Sequence, residues 1–242
     1  MRVDAVCLEQ RQASKHASED KMADIVVFGA GQIADVARVY IDMHGPDRIV
    51  AFTVDAAYCT ANTFAGRPLV PWEELERHFP QNQVQLLGPL SFRRLNEFRQ
   101  TRYLEGLGRG YTFTSFIHPE CKNYAQSIGD NCFILEGNTL QPFVTVGNNV
   151  IIWSNNHIGH HTSIEDHCFL TSVIGVSSNV SIGEGSFICG GALIDYGVRI
   201  GARSFVGFGT HILKNLPSES VVPHMPQSRI APYSSQRMKR LL

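Results

Sequence analysis

Counting forward in sixes from Ile128 meets Ile134, Leu140, Val146, Ile152, Ile158, Ile164, Leu170, Val176, Ile182, Ile188, Ile194, Ile200, Val206 and Ile212, and every stop is aliphatic. A period of six suits neither an amphipathic helix at 3.6 nor an alternating strand at 2. It is the repeat of a parallel β-helix, in which each unit gives one short strand and one corner, and three units close a triangular coil of about eighteen residues. The aliphatic first position then points inward and stacks on its equivalent one coil away. The fifth position also points inward and must be slender; from Cys132, Asn138, Val144 and Val150 to Ser204 and Thr210 it holds no large aromatic. Glycine recurs at the second position, in Gly129, Gly147, Gly159, Gly183, Gly201 and Gly207, where a tight corner is expected to need positive φ.

The repeat occupies only the second half of a 242-residue chain, which predicts two domains. The expected division is a disordered leader at 1–22 with Met22 as the natural start, a small α/β domain at 23–115, the β-helix at 116–222 and a tail at 223–242. Lys plus Arg is 21 against 22 acidic residues. That balance excludes the basic excess of a nucleic-acid or anionic-membrane binder and points to a small-molecule ligand. No apolar run is long enough to span a bilayer, and the opening MRVDAVCLEQRQASKHASEDK is too polar for a secretory signal, so a cytoplasmic location is expected. Six cysteines without a C-x-x-C pair read as reduced, buried thiols and not as a disulfide framework.

From Ala23 the pattern is strand (25–28), glycine turn (Gly29-Ala30-Gly31), helix (33–41, ended by His44-Gly45-Pro46) and a second strand (49–54) terminating at Asp55. This opens a Rossmann-like parallel unit and places Gly29, Gly31 and Gln32 beside Asp55 at the carboxyl ends of the strands. A short helix at 72–79, a strand at 83–87, a long helix at 91–108 and a last strand at 111–116 should complete it. Lys122 breaks the aliphatic register, so the first coil is expected to be irregular.

A β-helix is a scaffold, and function needs a site. His157, His160, His161 and His167 crowd into WSNNHIGHHTSIEDH. By register His160 and His161 fall on a corner and His157 at the sixth position, all outside the prism. A metal centre is not expected, because the residues stacked on His160 are Pro142 and Ser178, neither of them a ligand. A solvent-facing imidazole working as a general base is the stronger chemical reading. Gly29-Ala30-Gly31 followed by Ala34 approximates a dinucleotide fingerprint, which keeps a nicotinamide-dependent oxidoreductase open as a runner-up.

The small domain opening VVFGAGQIADVAR, the joint FTSFIHPE and the segment LQPFVTVGNNVIIWSNNHIGHHTSIEDHCF together resemble the bacterial hexapeptide-repeat sugar acyltransferases, including the nucleotide-sugar N-acetyltransferases and the sialic acid O-acetyltransferase group. The resemblance spans about residues 23–216. It implies that the β-helix is left-handed and that the chain acts as a homotrimer. It further implies acetyl-CoA as co-substrate and transfer of its acetyl group to the amine of a nucleotide-linked amino sugar for surface polysaccharide synthesis. His160, in the family's I-x-H hexapeptide, would be the base. The next residue, commonly acidic and orienting in that family, is here His161. Acetyl-CoA would lie between two β-helices against Ser178, Leu193 and Phe208, with Lys214 for a phosphate. Gly29, Gly31 and Gln32 would hold the nucleotide's phosphates and Asp55 its base or ribose. Acetylation of a sugar hydroxyl, or a non-catalytic sugar-binding scaffold, are the alternatives.

Overall fold

A computed structural model describes residues 22–88 and 90–224. The expected leader lies outside the described residues except for Met22, as does the tail from residue 225.

The first half is a five-stranded sheet in the order β3-β4-β2-β1-β5, built from β1 (Asp24–Phe28), β2 (Arg48–Val54), β3 (Thr63–Phe64), β4 (Arg67–Pro71) and β5 (Gln85–Leu87). All neighbours run parallel except the β3–β4 hairpin. The central strand β1 has Val26 and Val27 fully buried, one on each side of the sheet, as a strand covered on both faces requires. Helix α1 (Gln32–His44) follows it, burying Ala34, Ala37 and Ile41 on one face and stopping where the Gly45 N–H returns to the Ile41 carbonyl. A four-residue helix α2 (Leu75–His78) and helix α3 (Glu97–Gly108) complete this part.

Two boundaries differ from the sequence expectation. The helix foreseen at 91–108 starts only at Glu97, because Arg94, Leu95 and Asn96 all take positive φ, of 51°, 50° and 70°. Asn96 is buried there, and its amide donates to the carbonyls of Gly185 and Ser186. The strand foreseen at 111–116 makes a single bridge, Phe113 to Leu86, before Phe116–Ile117 enters the next sheet. That segment is the crossing between two sheets and belongs fully to neither.

The second half is the left-handed parallel β-helix. Two-residue strands stack into three faces, and each residue pairs with the one eighteen positions on, as Thr139 with His157 and Ile151 with Phe169. The outward columns differ. Face one carries Phe116, Phe133, Ile151, Phe169, Phe187 and Phe205; face two carries Thr139, His157, Gly175, Leu193 and His211; face three carries Ser127, Thr145, Ser163, Ser181 and Arg199. Both inward columns are buried as the period requires: Ile152, Ile158, Leu170, Ile182 and Ile188 at 0 %, with Cys132, Val144, Cys168 and Ser186 between them also at 0 %. Burial pushes the Cys132 thiol up to about 11 and the Cys168 thiol up to about 12, so both stay protonated packing groups at neutral pH. The first coil is irregular in a definite way: Phe116 and Lys122 pair with Phe133 and Thr139, one residue short of a full coil, while Ser127 already pairs with Thr145 at eighteen.

The second-position glycines are needed for a reason other than positive φ. A Cβ on Gly159 would lie 2.6 Å from the backbone of Ser177 and Ser178, so the next coil's backbone excludes any side chain. Left-handed φ sits instead at the fourth position of each unit, in Asn131, Asn149, Asn155, His161, His167, Val173 and Asn179. Asn and His tolerate it; Val173, being β-branched, is an outlier.

The two halves share one core. Phe116, Phe133, Ile151 and Phe169 pack against Ile25, Val27, Ala34 and Phe52. Arg99 of α3, fully buried, donates to the carbonyls of Asn149, His167 (2.6 Å) and Cys168 (3.1 Å), and Tyr103 donates to Asp130 at 2.5 Å. The α/β part therefore covers face one and its flanking corners.

Candidate active site

The corner between faces two and three is the corner farthest from the α/β part. His160 stands on it, with Ser178, Tyr196 and Lys214 at the same place on the following coils. The His160 N–H donates to Gln141 Oε1 at 2.9 Å, which ties this corner to the coil before it. His161 follows with φ 58°, and the left-handed backbone sets its ring at 86° to that of His160. The two Nδ1 atoms are 3.0 Å apart. In such a pair one nitrogen carries the proton and the other accepts it, so the rings cannot both be charged while the contact holds. On its other side His161 lies against Phe143, with centroids 4.5 Å apart. Where the resemblance led to an orienting acid being expected, the chain places an imidazole whose Nδ1 reaches the Nδ1 of His160.

Of the crowded histidines, His157, His160 and His161 are exposed, whereas His167 is 4 % exposed and turned to the other side of the prism. The Asn149 amide donates to its Nδ1 at 2.8 Å. Desolvation first, and Arg99 second, hold its pKa below the ordinary histidine value. It is a packing residue. Among the described residues no cluster of His, Cys, Asp and Glu could hold a metal ion.

The four expected acetyl-CoA contacts do not fall in one place. Ser178 and the exposed Lys214 share the His160 corner, and Leu193 lies exposed on the adjoining face two. Phe208 is on the opposite corner of face two, beside His224, whose Nδ1 accepts from the Phe208 N–H at 2.9 Å. Together they bracket face two. That face and its corners also hold the exposed Tyr124, Phe143, Val173, Tyr196 and Leu213, whereas face three is lined by serine, threonine and charged residues.

The four expected nucleotide contacts do come together. Gly29, Gly31, Gln32 and Asp55 line one cavity of about 480 Å³ at the carboxyl ends of β1 and β2, where the strand order reverses around β1. Asp55 is fixed by Arg102 Nε at 2.9 Å. Sequence reasoning missed the far wall: Tyr58 after β2, and Ser91, Arg93 and Phe98 around the left-handed turn. Ser91, Arg93 and Phe98 were expected inside a regular helix and Tyr58 stands in no periodic segment, so no pattern marked them as cavity residues.

A left-handed β-helix preceded by a five-stranded α/β unit, with an exposed histidine pair on one corner, defines the structural class. The bacterial transferase hexapeptide family (six repeats) matches residues 127–160. No curated protein sequence matches the chain significantly. Among solved structures the chain is similar to a variant of perosamine N-acetyltransferase from Caulobacter crescentus, solved with CoA and GDP-perosamine, at TM-score 0.75 and 21 % identity over 84 % of this chain and 94 % of that one. It is also similar to the acetyltransferase domain of PglB from Neisseria gonorrhoeae, at TM-score 0.74 and 20 % identity over 83 % and 96 %. WeeI from Acinetobacter baumannii follows at TM-score 0.56 and 16 % identity over 84 % and 97 %. The chain thus carries hexapeptide repeats over part of its length and shares the fold of these solved sugar acetyltransferases.

Proposed function

We propose that the protein is an acetyl-CoA-dependent acyltransferase that acetylates the amine of a nucleotide-linked amino sugar, with His160 as the general base. The observation that carries this is the exposed His160–His161 contact on a fold shared with CoA-bound sugar N-acetyltransferases. With His160 Nδ1–H donating to His161 Nδ1, the His160 Nε2 lone pair is free to take a proton. The sugar amine attacks the thioester carbonyl and loses its proton to that nitrogen. The C–S bond breaks as the tetrahedral intermediate collapses, His160 Nε2 returns the proton to the departing sulfur so that CoA leaves as the thiol, and the products are the N-acetyl sugar and CoA. No acyl-enzyme is required. Ser178, Leu193, Phe208 and Lys214 are the proposed acetyl-CoA contacts, and Gly29, Gly31, Gln32 and Asp55 those of the nucleotide.

The base and the nucleotide cavity lie on opposite sides of the prism. With the α/β part packed on face one and His160 on the corner farthest from it, a homotrimer would place the base of one copy beside the cavity of the next. The exposed apolar residues of face two and its corners, Leu193 with Tyr124, Phe143, Tyr196 and Leu213, support that assembly.

His160→Asn tests the base. The expected result is a fall in kcat of roughly 10²- to 10⁴-fold with little change in KM for acetyl-CoA. Near-normal kcat would overturn the assignment.

A further inference from the structure

We infer that Arg93 grips the diphosphate of the nucleotide and makes the cavity selective for diphosphates over monophosphates; this rests on the nucleotide reading of that cavity.

Arg93 lines the cavity, with its guanidinium 5.6 Å from the ring centroids of both Tyr58 and Phe98. Two nearby arginines have carboxylates: Arg102 holds Asp55 and Glu105, and Arg109 holds Glu76. Among the described residues Arg93 has no carboxylate within 4.0 Å, and it is held over the cavity by two aromatic rings alone. A guanidinium stacked between rings keeps its N–H edge free, and that edge fits the paired oxygens of a phosphate. The carboxylate in the cavity wall, Asp55, is already engaged by Arg102, so it is not the partner Arg93 lacks.

The backbone explains how a surface arginine keeps this position. The three successive left-handed residues 94–96 reverse the chain directly after Arg93. A non-glycine run of that kind persists only where its surroundings enforce it. Here the enforcing contact is the Asn96 amide on the Gly185 and Ser186 carbonyls of the β-helix. The Gly29–Gln32 turn lines the same cavity as Arg93. A monophosphate can be satisfied at that turn alone, but a diphosphate presents a second anionic group for the Arg93 guanidinium.

The test is titration calorimetry of the full-length wild type and of Arg93→Gln with UDP, GDP, dTDP and their monophosphates. For whichever diphosphate binds the wild type, Arg93→Gln should weaken binding by about 10- to 100-fold, the range of a charge-assisted hydrogen bond. The matching monophosphate should change by less than about threefold. Arg93→Lys should recover part of the loss, and both variants should unfold at the wild-type temperature because Arg93 is exposed. Unchanged diphosphate affinity in Arg93→Gln overturns the inference while leaving the nucleotide reading intact. Equal loss of mono- and diphosphate also overturns it, by assigning Arg93 to the nucleoside. If none of the nucleotides binds the wild type, the nucleotide reading itself fails.

Discussion

His161 is set by two contacts, the Nδ1 of His160 on one side and the Phe143 ring on the other, on a backbone whose φ of 58° histidine tolerates. A neutral imidazole can fix the tautomer of His160, but unlike a carboxylate it cannot stabilise the imidazolium that forms as the proton arrives. His161→Ala should therefore lower kcat by roughly tenfold, the worth of one net hydrogen bond of about 1.4 kcal/mol. Its effect should be smaller than that of His160→Asn. His161→Ala at wild-type kcat would show that the contact does not orient the base. Stepping in sixes from Ile128 put His160 outside the prism together with His157 and His161, and singling it out rested on the resemblance. Its partner was not legible, because the Nδ1–Nδ1 approach depends on a corner conformation that the repeat period does not specify.

Helix α3 joins the two halves through a buried cation that has no buried anion. Arg99 is satisfied by the carbonyls of Asn149, His167 and Cys168, and burial pulls its pKa down to about 10, so it remains charged at neutral pH. His167 beside it is held toward the neutral form by its burial first and Arg99 second, and the Asn149 amide donates to its Nδ1. Its folded pKa lies below the ordinary value of 6.5, so the unfolded chain binds the proton more readily. Stability from this residue is complete above about pH 6.5 and is lost as the pH falls below that toward the folded value. Thermal unfolding followed between pH 7 and pH 5 should show a falling Tm, and His167→Asn, which suits the left-handed corner, should flatten part of that slope. An identical slope in the variant would remove His167 from the account. The start of this helix escaped sequence reasoning for a physical reason: Phe92, Leu95 and Phe98 have helical spacing, but the β-helix carbonyls that capture Asn96 are about ninety residues away.

For the whole molecule, the aliphatic period predicted the prism, its inward columns and its outward faces, and the glycine turn predicted the cavity end of the sheet. What neither could supply was the angle between them, which comes from the phenylalanines of face one packing under β1 and α1. That packing sends the cavity and His160 to opposite sides, so activity should be a property of the assembly. Light scattering should give the mass of a trimer. Co-expression of His160→Asn chains with Arg93→Gln chains should restore activity above that of either variant alone, because some composite sites then pair an intact base with an intact cavity. Activity no higher than the sum of the separate variants would show that base and cavity act within one chain.

His160, Ser178, Tyr196 and Lys214 occupy the same corner on four consecutive coils, and coils are stacked at the inter-strand distance of about 4.8 Å. From base to lysine is then three rungs, roughly 14 Å. A ligand stretched along that corner meets a graduated scale, on which its reacting end and its charged end must differ by a whole number of rungs. Inserting one complete coil between Ser178 and Lys214 would leave the fold's chemistry untouched and still change, by one fixed increment, the length of molecule the corner accepts.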